Sequence, residues 1–136
     1  MLFVGILRWV GSIAGLGALT LGLLFWIANI NLISIHMLLG ITVALSLLLL
    51  GLVALSKKGM RLLGAVGVIY ALFVPVFGLT QDRILVTSAH WVIQAAHLLV
   101  GIGALALIGI MSTRYERHKQ VVDENHTFGG VAARGR

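Results

Sequence analysis

Residues 9–56, 62–81 and 84–113 of this chain contain no Asp, Glu, Lys or Arg. A helix rises about 1.5 Å per residue, so roughly 20 apolar residues cross the hydrocarbon core of a bilayer. The first charge-free stretch is long enough to cross twice, and the other two cross once each. Inside lipid every backbone polar group needs an internal partner, which a helix supplies along its own length. Composition agrees: 60% of the residues are apolar and the mean hydropathy is +1.07, against about 45–50% apolar in soluble domains. The predicted fold class is all-α, an integral membrane four-helix up-down bundle.

The spans are expected at about 9–28, 32–55, 62–79 and 88–111, in a transmembrane domain of residues 1–112. The first apolar run is longer than a signal-peptide core and ends in Phe25-Trp26-Ile27, so it reads as a retained helix. Asn29-Ile30-Asn31 is too short a connection for anything but an antiparallel hairpin. Pro75, the single proline, should kink or loosen the last turn of the third span. Gly11, Gly15, Ala18 and Gly22 form a small-residue stripe on the first span, and Gly64, Gly67 and Ala71 form another on the third. Such stripes let another helix or a flat ligand approach the backbone closely, and helix packing is the plainer account. From residue 113 to residue 136 the chain turns polar, which predicts a short helical extension and then a disordered tail holding His118 and His126.

Arg8, Lys57, Lys58, Arg61, Arg114, Arg117 and Lys119 fall on one side of the predicted bundle, and only Arg83 on the other. The positive-inside rule then places both termini and the 57–61 loop in the cytoplasm, with 29–31 and 80–87 facing outward. The expected location is the cytoplasmic membrane of a bacterium or archaeon. The net charge of +6 is explained by topology and anionic lipid, not by nucleic acid. There is no cysteine, which excludes disulfides, thiolate metal sites, iron–sulfur clusters and thioether-attached haem.

Three histidines lie within the spans: His36, His90 and His97. Ionisable residues at such depth are costly and point to function. IHMLLGI, from Ile35, and AHLLVGI, from Ala96, share the pattern His-x-Leu-x-Gly-Ile, so spans one–two and three–four read as two parallel two-helix repeats. Imidazoles without carboxylates or thiolates suit a b-type haem, whose iron takes one histidine from each of two facing helices. Gly40 and Gly101, one turn beyond His36 and His97, would let a porphyrin approach the backbone. The repeat selects His36 and His97 as the axial iron ligands of one haem b. By span boundaries His97 lies deeper than His36, which leaves His36 with His90 as the alternative pair. His90 and His97 are two turns apart on one face with Gln94 between them. In the favoured scheme His90, with Gln94 and Arg83, serves a haem propionate or lines a quinone pocket.

Four short spans with histidines on the second and fourth, in the motif His-x-Leu-x-Gly, resemble small membrane cytochromes b of the cytochrome b561 and hydrogenase-cytochrome type. The resemblance covers the four spans and not the tail. It implies electron transfer within or across the membrane, often to or from a quinone; the small size and exposed glycine faces suit a larger redox complex or a homo-oligomer. That pattern uses two haems and four histidines, whereas three here allow one bis-histidine haem.

Two other readings stand beside it. His36, Met37, His90 and His97 offer a nitrogen and thioether set suited to copper. A cofactor-free scaffold or partner subunit would use its glycine faces for helix association. Catalysis by the chain alone is not expected, since the spans hold no carboxylate and no nucleophile with an adjacent base.

Overall fold

The computed structural model describes residues 2–28, 32–84 and 89–134, leaving aside the side chains of residues 82, 119 and 121–134. It contains four long helices, α1 (Leu2–Ala28), α2 (Ile33–Leu55), α3 (Arg61–Thr80) and α4 (His90–Arg134), with a 3-10 turn at Gln81–Arg83. Each of the four is long and apolar enough to cross a membrane. The protein is therefore an all-α four-helix bundle compatible with integral membrane residence. The predicted turn at Asn29–Asn31 lies outside the described residues, as does part of the 80–87 connection.

Two boundaries differ from the sequence expectation, and Pro75 does not end its helix. Helix α1 begins at Leu2 and carries Arg8 in its second turn, because Leu2 to Leu7 continue the apolar pattern without a breaker. Pro75 sits inside α3. It lacks an N–H, so the carbonyl of Ala71 loses its usual helical donor, yet the helix runs on to Thr80. Helix α4 continues through Arg134 rather than stopping after a short extension. The segment Thr113 to Gln120 is rich in Arg, Glu, Lys and Gln, which carry little helix penalty and no break signal. Arg8 Nη1 lies 3.7 Å from Glu116 Oε1, an exposed pair that places this extension beside the start of α1.

Packing makes the bundle a rhombus. Around its perimeter α1 touches α2, α2 touches α3, α3 touches α4 and α4 touches α1. Across the middle α2 also touches α4, whereas α1 and α3 make no close approach among the described residues. Glycines permit the tight edges. A Cβ on Gly64 would lie 2.6 Å from the Leu55 nitrogen and 2.8 Å from the Gly51 oxygen, so the α2 and α3 backbones meet directly. A Cβ on Gly11 would lie 2.9 Å from Ile108 Cδ1, and Gly15 is capped by Leu105, which draws α1 onto α4. Most of both small-residue stripes thus serves helix packing.

The two ends of the bundle differ. The end carrying Lys57, Lys58 and Arg61 is solid: Leu7, Leu47, Leu50, Ala104, Ile108 and Met111 form a buried cluster. Its two buried hydroxyls, Ser46 and Ser112, donate to the carbonyls four residues back, Thr42 and Ile108. Among the described residues the buried apolar cluster does not fill the opposite end, where the histidines lie.

Candidate functional site

A cavity of about 500 Å³ opens in the half of the bundle away from the basic loop, within the ~300–1,000 Å³ range of cofactor pockets. All four helices line it. Gly15, Ala18, Gly22 and Trp26 come from α1, and His36, Met37 and Gly40 from α2. Val74, Pro75 and Gly78 come from α3, and His90, Gln94, His97 and Gly101 from α4, with Gln81 adding an amide from the connection. The walls are otherwise apolar.

His36 and His97 face each other across the short diagonal, with ring centroids 5.9 Å apart and ring planes tilted by 52°. The sequence-level depth mismatch disappears because α4 starts further outward than α2: seven residues precede His97 in its helix and three precede His36 in its own. The alternative pairing of His36 with His90 is not the one the fold brings together. His90 lines the same cavity further out, and its Nδ1 is buried without a hydrogen-bond partner among the described residues.

The two hairpins hold their histidines in the same way. Gly11, Gly15, Ala18 and Gly22 recur at the same spacing as Gly67, Ala71, Val74 and Gly78. A Cβ on Gly22 would lie 3.3 Å from His36 Cε1, and one on Gly78 would lie 3.2 Å from His97 Cε1. Each imidazole therefore rests on a glycine of the preceding helix, one repeat echoing the other. Gly78 carries no obvious sequence signal by itself; aligning the two stripes would have revealed it.

The second interaction is not shared. His36 Nδ1 stands 2.9 Å from the Ala18 carbonyl, and a carbonyl only accepts, so Nδ1 carries the proton and Nε2 keeps its lone pair. His97 Nδ1 is buried with no hydrogen-bond partner among the described residues. Its ring is stacked at 26° against Phe77, with centroids 6.0 Å apart.

Gly40 and Gly101 both face the cavity. A Cβ on Gly40 would meet nothing within 4 Å, and one on Gly101 only Leu19 Cδ2 at 3.7 Å. Protein packing does not require glycine at either place, although glycine in a helix costs about 0.5–1 kcal/mol relative to alanine. Arg83 is exposed and does not line the cavity. Gln94 does. Among the described residues no three His, Cys, Asp or Glu side chains converge on one point, so His90 does not join His36 and His97 around an ion. No family model, curated protein or solved structure matches this chain.

Proposed function

We propose that the protein is a membrane b-type cytochrome, holding one haem b between α2 and α4 and passing single electrons. The observation that carries this is the separation of His36 and His97. Two imidazole nitrogens holding one metal between them, at about 2.0–2.1 Å each, would put ring centroids about 6.4 Å apart. The rings stand 5.9 Å apart, about half an ångström closer. A bis-histidine haem needs two ligands and no third, which fits a site where only two histidines approach each other.

The surroundings support the reading. The Ala18 carbonyl holds His36 in the tautomer that frees Nε2, the usual arrangement behind a ligating histidine. Gly40 and Gly101 leave open the space a flat macrocycle would occupy beside the pair. The apolar walls would exclude water from its faces. Bound haem supplies a one-electron redox centre; the protein's residues hold it, orient it and keep it in the outer half of the span. By the charge asymmetry of the loops, both termini face the cytoplasm and the cavity end faces outward.

The test is optical. The full chain, purified in mild detergent with haem supplied during expression, is expected to show a Soret band and sharp α and β bands after dithionite. A preparation that stays colourless would overturn the cytochrome reading, and metal analysis of it would then separate a copper protein from a scaffold.

A further inference from the structure

We infer that the two axial histidines are unequal, and that His97 is the exchangeable one, releasing ferrous haem iron to a small neutral diatomic ligand such as carbon monoxide. The inference rests on the cytochrome reading above and adds to it a ligand-binding activity on one face of the haem.

The two repeats hold their histidines alike but for one contact. His36 and His97 sit on equivalent helices, each with Cε1 against an equivalent glycine, Gly22 or Gly78. In the first repeat Ala18, four residues before Gly22, turns its carbonyl to His36 Nδ1 at 2.9 Å. In the second repeat the equivalent position is Val74, immediately before Pro75. There the bond is missing: His97 Nδ1 is buried and unpartnered among the described residues.

This difference bears directly on ligand strength. A hydrogen bond from the second imidazole nitrogen to a carbonyl fixes the ring and raises the basicity of the nitrogen that ligates. Losing such a bond commonly weakens metal binding by about 10–100-fold. When His97 ligates through Nε2, its Nδ1–H stays buried with no acceptor, so the bound state carries a penalty that His36 does not. Room exists near His97, since Gly101 faces the cavity with only Leu19 Cδ2 within 4 Å of its would-be Cβ. The exchange breaks the bond from His97 Nε2 to iron and forms one from carbon to iron. No electron is transferred, and the imidazole leaves neutral with its proton still on Nδ1.

Carbon monoxide added to the dithionite-reduced, haem-loaded full chain tests this. The wild type is expected to form a CO complex at a rate that stops rising with CO concentration, because His97 release limits it. In His97→Gly the plateau should vanish, the reduced spectrum should turn high-spin, and added imidazole should restore the low-spin bands. His36→Ala should lose haem affinity about 10–100-fold more than His97→Gly. A low-spin haem that refuses CO would overturn the inequality alone. So would a CO plateau that persists in His97→Gly. A chain that takes up no haem would overturn both this inference and the cytochrome reading.

Discussion

The hydroxyl of Tyr70 donates to the carbonyl of Val100 at 3.0 Å, tying α3 to α4 where the packed half of the bundle gives way to the cavity. Gly103 lies directly against the same hydroxyl, so the ring reaches α4 only because no side chain stands there. His97 is one turn before Val100, and the bond fixes the height of α4 against α3 at the site. Tyr70→Phe should destabilise the protein by about 0.5–1.5 kcal/mol. Thermal unfolding in detergent would read it, and Gly103→Val should cost more because it displaces the ring.

Backbone contact between α2 and α3 predicts a sharp contrast among glycines. At Gly64 a Cβ would sit 2.6–2.8 Å from backbone atoms of Leu55 and Gly51, which have no rotamer with which to yield. Gly64→Ala should therefore destabilise by about 1–3 kcal/mol, as overpacking does. Gly109→Ala meets nothing within 4 Å and should be neutral or slightly stabilising, since alanine suits a helix better. Gly59 has φ of +88° in the loop before α3, so alanine there should cost about 1–2 kcal/mol despite open space. Paired melts of the three variants would check the order.

Gly40 separates the stability of the fold from the capacity of the cavity. Nothing in the protein contacts its would-be Cβ, so Gly40→Leu should fold and melt like the wild type. Its side chain would project into the cavity, and haem uptake should fall at least tenfold. Haem titration of the folded variant would measure this, with Gly40→Ala as a milder step.

These positions also show what could be read from the residues alone. Four spans were legible because charge is confined to their ends, and the histidine-glycine echo was legible because its spacing is local. That echo also paired His36 with His97, while the span boundaries kept His90 as an alternative, because they give the wrong depth when one helix begins further out than its counterpart. Only the hairpin geometry brings His97 level with His36. Gly78 was missed because its meaning lies in the alignment of α3 with α1, not in its neighbours. Gly11 and Gly15 were legible as close-packing residues, but not that Leu105 and Ile108 of α4 would be what they meet. The length of α4 was hidden by a polar composition that suits a solvated helix as well as a tail.

Orientation can be tested cheaply because the chain has no native cysteine. Lys58→Cys should react with a membrane-impermeant maleimide only after the cells are opened. Arg83→Cys should react in intact cells. The reverse pattern would invert the topology drawn from the loop charges.

The central claim is that His36 and His97, and not His90, grip one haem across the α2–α4 diagonal. Its most direct measurement is the reduced visible spectrum of the wild type beside His36→Ala, His90→Ala and His97→Ala, each purified in the same detergent. The account predicts sharp low-spin α and β bands in the wild type and in His90→Ala, and their loss in the other two. A colourless wild type, or a His90→Ala protein that loses the low-spin bands while His36→Ala or His97→Ala keeps them, would contradict it.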